Sequence, residues 1–199
     1  MISVKQLTLF TELFTPWTVL SVCCLLVAIP AAFRSRKVSA APWSSVVATT
    51  FRLKPHEDLM DSLLSFTRTN RISAASIVTC VGSLRAVHIR LAAAGTADGS
   101  SGFYSNDSKR YEIVSLVGTL EYNSVTDKAT GHLHIGLADE HGAVIGGHLV
   151  TGCRVYTTAE VTLLRCPSLQ HTRVHDPDSG YDELMVVPTN DACLSYKAT

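Results

Sequence analysis

Apolar and polar residues alternate with period two along several stretches of this chain, whereas a period near 3.6 runs through one stretch only. Leu59, Met60, Leu63, Leu64 and Thr67 recur at helical spacing after Pro55, and Glu57 and Asp58 fall in the first turn, where carboxylates suit the positive end of a helix dipole. Asn70 supplies a stop. Ile72 to Leu84 reads as a buried strand in which Gly82 permits a bend, and Ala86 to Ala92 as an alternating strand with His88 and Arg90 on one face. Tyr111 to Leu120 and Gly152 to Arg165 alternate in the same way, the second with a break at Thr157 or Thr158, and Leu184 to Val187 makes a short last strand. Between them, Ala93 to Ser108 has the Ala, Gly, Ser and Asp content of a long loop. Many strands and one helix predict an α+β fold, a single mixed, mostly antiparallel sheet with a flanking helix.

One alternating stretch carries chemistry. From Thr130 to Gly152 the chain reads T-G-H-L-H-I-G-L-A-D-E-H-G-A-V-I-G-G-H-L-V-T-G, with four of the eight histidines. Taken as a β-hairpin, it turns at Glu140-His141-Gly142, with Gly142 as the left-handed residue that a three-residue loop needs. Asp139 then faces Ala143, and counting back along both strands sets His134 opposite His148, with His132 two residues away on the same face. His141 stays in the loop and points elsewhere. A turn displaced by one residue would rotate His148 to the other face, so the convergence depends on the loop chemistry.

Three neutral imidazoles make a zinc site with a fourth tetrahedral position open, the ligand set of carbonic anhydrase. The ordinary alternative is that these are half-buried strand histidines bonded to backbone or water. For a lone histidine that is the better reading, while H-x-H with a third ring on the facing strand favours a metal, Zn(2+) or another divalent ion, on His132, His134 and His148.

Composition narrows the partners. The 199 residues hold 17 basic and 17 acidic side chains, so no net positive charge draws the chain to a polyanion. The six cysteines show no C-x-x-C spacing, and Cys80 and Cys153 fall in strand-like runs where a free thiol acts as a small hydrophobe. A reducing compartment fits this usage better than an oxidising one.

The N-terminus differs from the rest. Leu13 to Phe33 is a run of 21 residues without charge, long enough to cross a bilayer as a helix, and it raises the mean hydropathy of the chain to +0.20. Arg34, Arg36 and Lys37 follow it, against Lys5 and Glu12 before, which predicts a membrane anchor with the domain on the cytosolic side. The alternatives are a cleaved signal peptide, with Val38-Ser39-Ala40 as a small-residue site, or an organellar presequence. Residues 1–50 are thus assigned to a leader and linker, 51–187 to the domain and 188–199 to a flexible tail.

Six blocks in this order resemble the plant and prokaryote conserved (PPC) domain, also called DUF296. They are F-R-L-K-P-H-E-D-L at 51–59, V-G-S-L-R at 81–85, Y-E-I-V-S-L-V-G-T-L at 111–120, G-H-L-H-I-G-L at 131–137, G-A-V-I-G-G-H-L at 142–149 and T-A-E-V-T-L at 158–163. The resemblance implies an α/β domain of sheet plus flanking helices that assembles as a homotrimer. It also implies a branch: plant AT-hook nuclear-localized members carry an R-G-R-P hook and generally lack the histidine trio, whereas stand-alone prokaryotic members keep H-x-H and G-G-H. This chain has no R-G-R-P, and its His132, His134 and His148 match the second branch position for position. His56 departs from the pattern, standing where the family usually has Gly before the acidic pair.

The expectation is therefore a trimeric module holding a divalent metal on three histidines, with metal-dependent chemistry at the open position. Glu112, Glu160 and Ser115 are its candidate helpers. The competing readings are an oligomeric protein-interaction scaffold without catalysis, and a DNA-associated regulator, which the neutral charge and missing hook disfavour.

Overall fold

The computed structural model describes residues 41–92 and 102–189. The chain enters on β1 (Val47–Leu53), forms the helix α1 (Leu59–Thr69), and continues through β2 (Ala75–Arg90), β3 (Phe103–Asn106), β4 (Tyr111–Asn123), β5 (Lys128–Ala138), β6 (Val144–Leu149) and β7 (Arg154–Arg165). Two further strands, β8 (Leu169–Asp176) and β9 (Tyr181–Pro188), pair only with each other.

Strands β1 to β7 make one sheet in the order β1-β7-β2-β4-β5-β6, with β3 beside β2, and β6 also pairs with β2, so the sheet curls back on itself. Each pairing among the described residues is antiparallel. The expected mixed single sheet is therefore corrected in two respects, because the pairing is uniformly antiparallel and β8–β9 is a separate ribbon. The α+β class and the lone helix stand.

α1 begins at Leu59, four residues beyond Pro55 and about one turn later than Pro55 suggests: Asp58 is its N-cap, accepting from the Asp61 N–H at 3.1 Å through one oxygen and from the Gly152 N–H at 2.7 Å through the other. Asn70 closes it as predicted. Leu59, Met60, Leu63 and Thr67 are buried along one side of the helix and join Leu120, Leu133, Ile135 and Leu137 of β4 and β5 in the core. Phe66 stacks on Phe51 of β1 with ring centroids 4.0 Å apart. Ile72 to Ala92, read as two strands, is one 16-residue strand. The irregularities near Gly82 are register shifts against β7, taken up as bulges without breaking the strand.

The transmembrane helix and the membrane-anchored, cytosol-facing placement are withdrawn. Among the described residues no helix is long and apolar enough to cross a membrane. The apolar run Leu13 to Phe33, on which that reading rested, lies outside the described residues, as do most of the loop from Ala93 and the tail from 190.

Candidate metal centre

Alternation along β5 decides which groups face outward. Leu133, Ile135 and Leu137 point into the core, which leaves His132 and His134 on the opposite, exposed face. The turn that follows has the geometry expected of it. Gly142 has φ +78°, Asp139 and Ala143 close the loop through an N–H to carbonyl bond of 2.9 Å, and Gly142 donates back to the Asp139 carbonyl at 2.9 Å. The Asp139 carboxylate accepts from the His141 and Ala143 N–H groups at 2.9 and 3.0 Å, and these bonds hold its pKa below the usual value. Register is thereby fixed, with Ala138 opposite Val144 and His134 opposite His148.

The three rings converge. His132 Nε2 and His134 Nε2 are 3.1 Å apart, and one ring nitrogen from each of the three histidines lies within 4.8 Å of the other two. Two nitrogens bound about 2.0–2.1 Å from a tetrahedral zinc lie roughly 3.3 Å apart, a spacing that the His132 and His134 nitrogens match at 3.1 Å. His148, half-buried, has an Nδ1 that is shielded from solvent and lacks a hydrogen-bond partner. Burial, then the charge of Arg90, pushes its pKa down to about 4, and burial also lowers that of His132. Both rings are thus neutral at pH 7, the form that offers a lone pair to a metal. A buried polar atom without a partner and three convergent imidazoles, two of them held neutral by burial, fit a divalent cation better than they fit a hydrogen-bonded strand surface.

Neighbouring strands extend the site. Register places Thr119 of β4 beside His132 and Arg90 of β2 beside His148. Gly118, with φ +140°, lets the two strands approach, since a Cβ there would lie 2.0 Å from the His132 carbonyl oxygen. The β8–β9 ribbon lies against this face of β4. It is held at its base by the His171 N–H to the Ser73 carbonyl at 3.0 Å and higher up by Arg173, which donates to Thr119 Oγ1 at 2.7 Å and to Glu121 Oε1 at 2.9 Å. Glu121 also accepts from Thr130 Oγ1 at 2.8 Å, and its carboxylate is almost wholly buried. Between ribbon and sheet is a cavity of about 410 Å³ lined by Arg90, Glu121, His132, His148, Arg173 and Tyr181 among others.

The proposed helpers do not reach it. Glu112 and Glu160 are exposed, as is Ser115, and none of the three lines this cavity. His88 turns its Nδ1 to the Thr151 carbonyl at 2.9 Å, and His141 stands in the loop beside Glu140. Arg90 does reach the cavity. Glu121 and Arg173 were missed. The sequence signal for Glu121 was its place in β4 opposite Thr130, two residues before His132; Arg173 had none, since it arrives on a ribbon of polar composition.

A curled antiparallel sheet covered by one helix, with an H-x-H pair and a facing histidine on its outer side, defines an α+β domain that carries a three-histidine cluster. The chain belongs to the Plants and Prokaryotes Conserved (PCC) domain family, whose model matches residues 44–167. It is 35% identical over 161 residues, 80% of the chain, to the bifunctional protein GlmU of a Synechococcus strain, and spans only 23% of that relative's length. A hypothetical protein of Salmonella cholerae-suis shares the structure at TM-score 0.65 and 34% identity, covering 74% of this chain and 98% of its own. A metal-containing protein from Archaeoglobus fulgidus shares the fold at TM-score 0.58 and 24% identity, covering 72% of this chain and 96% of its own. The β8–β9 ribbon lies beyond the matched residues.

Proposed function

We propose that this chain is a PCC-domain metal-binding module in which His132, His134 and His148 hold one divalent cation, zinc being the ion their donor set and spacing suit best. The observation that carries this reading is the approach of three ring nitrogens within 4.8 Å of one another on a rigid two-stranded element. The fold neighbour from Archaeoglobus fulgidus is metal-containing, which accords with it. Zinc held by these three rings would supply Lewis acidity. The protein's own part is to keep two rings neutral by burial, to fix their register through the Asp139 to Ala143 turn, and to wall the open side with the β8–β9 ribbon. Metal analysis tests this: the purified chain takes up one zinc, and His148→Ala loses more than the roughly 10–100-fold in affinity that removal of an outer-shell partner costs.

A second reading, self-association as the homotrimer that the family resemblance implies, is favoured by a different observation. Val78, Val81, Val114 and Val117 are each at least half exposed on sheet strands, an apolar row that a second copy of the chain would cover. Sedimentation of the chain across a concentration series distinguishes a trimer from a monomer. The metal site and the assembly are compatible.

A further inference from the structure

A divalent cation held by neutral imidazoles alone keeps its full double charge, which a half-buried site such as that of His148 tolerates only with an anion nearby. The surroundings sharpen that need. Arg90 stands beside His148 across the strands, and Arg173 arrives from the ribbon. Burial first, then the charges of His134, Arg173 and Arg90, lower the pKa of His132, and Glu183 of β9 is the carboxylate that acts in the opposite sense. Two hollows flank His132: one of about 410 Å³ reaches His148, and one of about 320 Å³ reaches His134. Glu183 borders both, and so shares a hollow with each of the three rings. Three carboxylates line these hollows, and two are engaged. Glu121 is almost wholly buried and held by Arg173 and Thr130, and Asp182 has an oxygen 3.5 Å from His175 Nδ1. The Glu183 carboxylate is exposed and makes no hydrogen bond or ion pair among the described residues, so it turns to a cation without breaking a contact.

We propose that Glu183 is the anionic partner of the bound metal, and that uptake of the cation clasps the β8–β9 ribbon onto the histidine face. The assignment rests on the metal reading, since without a cation Glu183 has nothing to meet there. The ribbon is built for such a closure. It pairs with no strand of the main sheet, and its last side-chain tie to β4 is Arg173, bonded to Thr119 and Glu121. Arg173 stands opposite Leu184, and Glu183 is one place further toward the turn, where no hydrogen bond joins ribbon to sheet among the described residues. Arg173 is thus a positioning residue that brings the ribbon alongside, and Glu183 is the group that the metal would draw in. The ribbon lies outside the residues that the family model matches, which makes the clasp a property of this chain's own extension.

The test uses the full chain with zinc alone as ligand. Zinc affinity is measured against a chromophoric chelator, and amide hydrogen exchange of β8–β9 is followed with and without the metal. The proposal expects zinc to slow exchange in the ribbon of the unaltered chain. Glu183→Gln changes an exposed side chain, so the fold is not at stake. It should keep one zinc, hold it about tenfold or more weakly, and lose the zinc-dependent slowing. Asp182→Asn, which removes a neighbouring charge of the same ribbon, should match the unaltered chain in both readouts. Glu183→Gln that is unchanged in either readout, or Asp182→Asn that is altered as much, overturns the clasp and leaves the three-histidine site intact. A chain that takes up no zinc fails the metal reading first, and the clasp with it.

Discussion

His134 and His148 stand directly opposite each other across β5 and β6, with ring centroids 5.7 Å apart. That pairing is a consequence of the Glu140-His141-Gly142 turn, whose ends lie six residues from each ring. Inserting one residue between Glu140 and Gly142 is expected to shift β6 by one position and send His148 to the core side, abolishing zinc uptake while the helix and the rest of the sheet persist. Gly142→Ala is gentler. The added Cβ meets nothing within 4 Å, so the cost is that of a left-handed backbone alone, about 1–2 kcal/mol in a urea denaturation series.

Gly118→Ala should be worse than Gly142→Ala, although the chemical change is the same. Its Cβ would lie 2.0 Å from the His132 carbonyl oxygen and 2.8 Å from the Leu133 Cα, so β4 and β5 must separate at His132. A loss of roughly 2–4 kcal/mol is expected by denaturation, together with weakened zinc retention. Equal losses for the two variants would mean that the strands part here without strain.

Arg173→Ala leaves the Glu121 carboxylate buried without its cation. Removing one partner of a buried pair costs about 3–5 kcal/mol, and the Thr130 hydroxyl that remains puts the expectation near the lower bound. Equilibrium unfolding measures it. A change below about 1 kcal/mol would mark the pair as a surface contact.

His171 offers a pH test away from the metal ligands. It is 7% exposed with Nδ1 unpartnered, and burial, then the neighbouring Arg173 charge, lowers its pKa below 6.5 while Glu121 opposes the shift. The unfolded chain therefore takes up a proton before the folded chain does. Stability is complete above the unfolded value of 6.5 and falls as the pH drops from there toward the lower folded pKa, by at most about 1.4 kcal/mol per pH unit. His171→Phe removes this contribution. Metal-free wild type should lose more stability between pH 7 and 5 than the variant does; the other histidines act equally in both.

How much of this was legible in the sequence follows from which contacts are local. The histidine register was, because a turn and strict alternation on both sides determine it within 23 residues. The helix was too, through Leu59, Met60, Leu63 and Leu64. Glu121 was not, since Leu120, Glu121 and Tyr122 are buried in succession, one face covered by the helix side and the other by the ribbon, so alternation is silent there. The ribbon itself has polar strands because it packs on a polar site, and its partner Glu121 lies 52 residues before Arg173. Glu112 and Glu160 were chosen by residue type on the correct sheet, but type does not reveal which row of the outer face ends beside His132.

The central claim is most directly tested by X-ray absorption at the zinc edge of the loaded chain. The structure predicts a first shell with three imidazole nitrogens at about 2.0–2.1 Å and one further light atom. A shell of sulfur, or one with fewer than three imidazoles that is unchanged in His148→Ala, would contradict it.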